Sequence, residues 1–167
     1  AHHPCPHAAS VSFHDAAVVD QFMLQVSSCC ITQRIVPKST TLKSYNYLTP
    51  QTPLKALATG NSTAGGGAIT DYLENYDKQS RGDSLSKVKL QAEEQPQKMV
   101  EGLSTVPFFL AGYKFHLKEH PREDANLEYV LMEVIHEARR VAEGEEQHSY
   151  ENSYRAFPAT VPFKAPF

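Results

Sequence analysis

The sequence has no tryptophan, only three cysteines, and no apolar run near the roughly 20 residues that cross a bilayer as a helix. An odd cysteine count excludes a complete disulfide framework and points to reduced thiols. Cys29 and Cys30 are adjacent, where a bridge would be strained. Basic blocks are also missing. The net charge is −3, and no lysine or arginine cluster could track a phosphate backbone, so nucleic-acid binding is disfavoured. The opening Ala1-His2-His3-Pro4-Cys5-Pro6 is not a charged and apolar leader, so no signal peptide is expected.

Catalytic signatures are equally scarce. No Gly-x-Ser-x-Gly elbow and no glycine loop ending in Lys-Ser/Thr occurs, which argues against an α/β-hydrolase and a nucleotide site. His136-Glu137 lacks the second histidine that a zinc-protease helix needs. Cys5 with His2, His3 and His7 comes nearest to a metal-ligand group, but it lies in a proline-rich stretch without a regularly spaced fourth ligand. His116, His120 and His136 read as solvated or hydrogen-bonded imidazoles. The pairs Glu93-Glu94, Glu123-Asp124 and Glu145-Glu146 are sequence neighbours and read as solvated carboxylates. No enzyme activity, cofactor or metal is expected.

What is present is turn chemistry and strand-forming side chains. Eleven prolines and eight glycines punctuate the chain, and eight tyrosines with eight phenylalanines favour strands. Tyr113, Phe115 and Leu117 alternate with Lys114, His116 and Lys118, the clearest strand pattern. Strands are also expected near Val18–Leu24, over Ile31–Val36 with Pro37 ending it, and over Thr40–Tyr47, Leu54–Ala58, Lys98–Thr105 and Tyr150–Pro158. Residues 59–67 read as a glycine-rich loop, in which Asn61-Ser62-Thr63 is a polar tip. One helix is expected over about 82–95, with Leu85, Val88 and Ala92 on its inner face. Asp83 or Ser84 would cap it and Pro96 would stop it, so Arg81-Gly82-Asp83 reads as a helix start, not an adhesion motif.

Leu127–Val141 is ambiguous. Leu127, Val130, Leu131, Val134, Ile135 and Ala138 fit helical spacing, while a buried strand could hold the same residues.

The order of several phrases resembles the VgrG family, the spike proteins of type VI secretion systems, which are related to phage baseplate hubs. The phrases are Pro4-Cys5-Pro6, Thr40-Thr41-Leu42-Lys43-Ser44-Tyr45, Leu110–Leu117 with His120-Pro121-Arg122, Asn126–Leu131, Val134–Ala138 and Tyr154–Phe163. Cys29-Cys30, Lys43-Ser44 and Gly65-Gly66-Gly67 depart from the family pattern. The resemblance implies a mainly β fold, a phage tail hub-like β-barrel with one flanking α-helix, and it makes Leu127–Val141 a strand. It divides the chain into an N-terminal segment, 1–28, joining a preceding domain, and a second hub-type barrel with exit linker, 29–167.

Functionally, the resemblance implies a structural spike component that forms a homotrimer, sits on the Hcp tube hexamer and supports a puncturing needle and effector proteins. It also implies residence in the bacterial cytoplasm before firing, then secretion or injection, with no stable membrane insertion of this region. Tyr45, Tyr47, Phe108 and Phe109 are the candidate subunit-interface residues, with membership of the core as the competing reading. The alternative function is a ligand- or glycan-binding β-domain with an effector role.

Overall fold

The computed structural model describes residues 2–15, 23–60, 66–72, 76–140 and 148–164. Nine strands and one α-helix are described: β1 (Ser10–Phe13), β2 (Gln25–Gln33), β3 (Pro37–Ser44), β4 (Leu54–Thr59), β5 (Gly66–Tyr72), α1 (Gln79–Glu94), β6 (Lys98–Ser104), β7 (Lys114–Lys118), β8 (Glu128–Arg140) and β9 (His148–Pro158). They form a closed barrel in the order β1-β2-β6-β9-β8-β7 and a three-stranded sheet in the order β4-β3-β5. Contacts divide the chain into one unit of Ala1–Thr32 with Lys98–Val161, and a second of Gln33–Gln97 with Pro162–Phe167. Residue 28, the boundary suggested by the sequence, lies inside β2, whose Val26 and Cys29 face the barrel core.

In the barrel, β1 pairs in parallel with both β2 and β7 and so closes the wall. The chain before it runs along β7: the Lys114 amide donates to the His3 carbonyl and the Cys5 amide to the Lys114 carbonyl, at 2.9 and 2.8 Å. The proline- and histidine-rich start thus runs along the barrel wall. Of the strand expected near Val18–Leu24, residues 18–22 lie outside the described residues. Inside the barrel, Phe109, Phe115, Tyr129 and Tyr154 form the aromatic centre, joined by Val11, Val26, Val100, Leu117 and Leu131. Phe109 and Phe115 stand 4.6 Å apart, and both meet Tyr154 edge-on. Edge contacts of this kind place the positive ring rim against the negative face.

Within the ambiguous span, Glu128–Arg140 is strand. The whole of Glu128–Arg140 is extended, paired with β7 at its start and with β9 along its length. A bulge separates Leu131, opposite Ala156, from Glu133, opposite Arg155, leaving Met132 as the extra residue. Val130 joins Met99 and Phe157 in a second apolar cluster, against which Met132, Ala159 and Val161 pack.

In the three-stranded sheet, β3 pairs antiparallel with β4 and parallel with β5. Leu54, Ala56 and Ala58 are buried and alternate with exposed Lys55, Leu57 and Thr59. Helix α1 packs on β3 and β4 through buried Gly82, Ser86 and Leu90; of the expected residues, Leu85 packs partly buried against Leu42, Leu54, Ala56 and Tyr76, while Val88 and Ala92 are partly buried outside that cluster. The small residues allow close approach: a Cβ on Gly82 would stand 2.5 Å from the Tyr76 ring. The Tyr76 hydroxyl lies 2.9 and 3.1 Å from the Leu42 and Leu54 carbonyls and can donate to either, tying both strands to the segment before α1. The helix begins after Lys78 with no side-chain cap; Asp83 instead accepts from Gln79 Nε2 at 2.9 Å. Pro37 opens β3, where its missing N–H costs little, and does not end β2, which stops at Gln33.

Burial pushes the Tyr129 phenol up to about 12 and raises that of Tyr154 further, with the neighbouring Cys29 adding to both. An unfolded phenol ionises near 10. A raised folded pKa gives stability that is complete below about pH 10 and is lost as pH rises towards about 12. Urea midpoints are therefore expected to fall above pH 10, and more gently in Tyr129→Phe; an unchanged slope in that variant would contradict the assignment.

Candidate assembly surfaces

The exposed apolar and charged side chains define the surfaces on which this chain could act. Tyr45 and Tyr47 follow β3 in its connection to β4 and are 59% and 77% exposed, with Leu48 exposed beside them. The Leu48 amide donates to Asn46 Oδ1 at 2.9 Å, turning this connection locally. Phe108 is 39% exposed and meets the His7 ring at 5.3 Å. Phe109 is 0% exposed and belongs to the barrel core, so the interface role expected for it is corrected. The two phenylalanines are neighbours in the turn before β7, one turned out and one turned in.

Sequence reasoning missed the outward face of the three-stranded sheet. On β4, Leu57 faces outward between two buried alanines, and Tyr72 at the end of β5 is exposed. Lys43 is the register partner of both Lys55 and Tyr72. An open groove of about 520 Å³ beside this row is lined by Tyr45, Pro50, Thr52, Tyr72 and the two lysines. The alternation of Leu54–Ala58 could have revealed Leu57, but the lysine pairing needs the register.

The outer wall of the barrel carries a compensated charge row. Arg155 of β9 stands opposite Glu101 of β6 and Glu133 of β8. Its Nε donates to Glu101 at 2.9 Å and its Nη1 to Glu133 at 3.4 Å. These groups are about half exposed, so the row contributes little to stability. Leu103 and Ile135 flank it as exposed apolar residues on the same face. Beyond Ser104, β9 has no register partner on β6, and beyond Val130, β8 has none on β7 among the described residues. Residues 136–140 and 148–151 thus form a two-stranded ribbon.

The titratable side chains weighed for chemistry have separate partners. His2 Nδ1 lies 2.8 Å from the Gly112 carbonyl, and Cys5 is buried, which raises its thiol pKa. His120 Nδ1 accepts from the Arg122 amide at 3.0 Å, and His136 Nδ1 lies 2.5 Å from the Tyr150 hydroxyl. Among the described residues no three His, Cys, Asp or Glu side chains gather as a metal site would require. Arg122 grips Asp124 through two nitrogens at 2.7 and 2.6 Å, and this holds the Asp124 carboxyl at about 2.

Comparison with known proteins places this geometry. The chain is 29% identical to the type VI secretion system spike protein VgrG4b of Pseudomonas aeruginosa across 91% of its own length. It spans 20% of that relative's length. Among solved structures, the 43 kDa tail protein of prophage MuSo2 from Shewanella oneidensis superposes with a TM-score of 0.64, at 11% identity, over 95% of this chain and 46% of that one. The tail protein of Neisseria meningitidis MC58 gives 0.61, at 11% identity, over 91% and 44%. At such identities these two likenesses speak for the fold alone. Residues 1–142 match the phage tail baseplate hub (GPD) family, and with most of the chain inside that match, the chain belongs to this family.

Proposed function

We propose that this chain is a structural hub barrel of a type VI secretion spike, not an enzyme. In this reading three copies surround a common axis, the assembled ring seats on an Hcp tube hexamer, and the spike carries effector proteins to a target cell. The reading includes a cytoplasmic state before firing and export after it. One observation carries it: the 29% identity to a spike protein extends over 91% of this chain, within a family of baseplate hubs. The exposed Tyr45, Tyr47 and Phe108 support it as surfaces for neighbouring subunits, since large exposed side chains are enriched where proteins meet. The test is co-elution of the purified chain with Hcp hexamers. A shared peak is expected, weakened by Tyr45→Ala with Tyr47→Ala while the circular dichroism spectrum stays unchanged. Separate elution at high micromolar concentration of both partners would contradict the reading.

A further inference from the structure

Two like-charge pairs of opposite sign stand on this chain, each directly across a pair of strands. On the outward face of the three-stranded sheet, Lys43 is opposite Lys55. On the β8–β9 ribbon, Glu137 is opposite Glu151. All four side chains are exposed. Like charges directly opposite one another destabilise a strand pair. The barrel wall shows how this chain offsets such charge elsewhere, with Arg155 set between Glu101 and Glu133. The lysine pair is not offset in that way, and the glutamate pair only in part. Among the described residues Lys43, Lys55 and Glu151 make no ion pair, and Glu137 has only Arg139, at 3.4 Å between largely exposed groups.

The two pairs also match in form. Directly opposed side chains leave both pairs about 5 Å wide at Cβ, so two carboxylates can meet two ammonium groups at once. Each pair has apolar surface beside it. Ile135, half-exposed, lies on the ribbon face of Glu137, and the groove between Tyr45 and Tyr72 borders the lysines. We infer that the Glu137–Glu151 face of one copy docks on the Lys43–Lys55 face of a second copy. Because the two faces differ, each copy offers one face to a neighbour and keeps the other for the next, the pattern a ring repeats. The inference rests on the ring assembly proposed above and assigns one of its contacts.

The test uses an equal mixture of ¹⁵N-labelled and unlabelled chain, coupled with a carbodiimide that joins amines to carboxylates in direct contact. The expected products are mixed-isotope peptides linking Lys43 or Lys55 to Glu137 or Glu151. Association should weaken roughly tenfold or more in Lys43→Glu/Lys55→Glu and equally in Glu137→Lys/Glu151→Lys, and mixing those two variants should restore it. Links confined to one isotope, or a mixture that fails to restore association while both variants keep the native circular dichroism spectrum, overturn the inference. A ring that persists in Lys43→Glu/Lys55→Glu overturns this contact and leaves the proposed function standing. A chain monomeric at millimolar concentration overturns both.

Discussion

Gly102→Val is expected to prevent the barrel from closing. A Cβ built at Gly102 would lie 1.9 Å from the Ser28 carbonyl oxygen and 2.8 Å from the Tyr154 hydroxyl. The first obstacle is backbone of β2, the neighbour of β6 in the barrel, and it cannot rotate away as a side chain would. Tyr154 cannot yield either, because it is buried among Phe109 and Phe115. Overpacking a filled core costs about 1–3 kcal/mol and at times more. Here the intruding atom meets main chain, so Gly102→Ala should lose about 3 kcal/mol and valine more. The control is Gly67→Ala, which meets nothing within 4 Å and should stay within about 0.5 kcal/mol of the parent. Urea midpoints at constant slope measure both effects. A Gly102→Ala chain as stable as the parent would refute the close approach of β2 and β6.

Phe109→Ala is expected to cost about 3–5 kcal/mol, the usual range for removing a buried phenylalanine. The ring is fully buried, 4.6 Å from Phe115 and 5.7 Å from Tyr154. Truncation would leave a cavity bounded by rigid rings, which collapse into it poorly. A domain with 5–15 kcal/mol of total stability would lose a large part of it. Protein concentration separates this core role from the subunit role expected for Phe109. A core residue destabilises the lone chain at every concentration, whereas an interface residue changes only association. Thermal unfolding at low micromolar and at high micromolar concentration should therefore show the same shift against the parent.

The strand pattern was readable where alternation is undisturbed. Tyr113–Lys118 reads correctly because β7 has no irregularity and only one face enters the core. β8 defeats the same reasoning for a local reason. The bulge at Met132 shifts the parity, so Leu131 and Val134 both contact the main core although they are three residues apart. That spacing mimics a helix turn, and the Leu, Met, Glu and Ala content favours helix as well. Only the family resemblance pointed to strand. β1 was unreadable because four residues give no period and its partner residues on β7 lie about 100 positions away.

The surfaces were less legible than the fold. Phe108 and Phe109 are indistinguishable as letters; the turn before β7 sends one outward and one inward. Tyr45 and Tyr47 lie past the end of β3 and are exposed. The Lys43–Lys55 and Glu137–Glu151 pairs are 12 and 14 residues apart in sequence, and become pairs only through the registers of β3 with β4 and β8 with β9. The inner face of α1 was read only in part, through Leu85, because helical periodicity favours large residues. This helix also buries Gly82 and Ser86, and at Gly82 the missing Cβ leaves room for the Tyr76 ring.

Sedimentation equilibrium of the purified chain over a micromolar to millimolar range tests most directly whether it is a ring-building subunit. The account predicts a mass rising from one chain to three and stopping there, since a closed ring has no vacant contact left. A mass of one chain throughout the range, or one that climbs without limit, would contradict it.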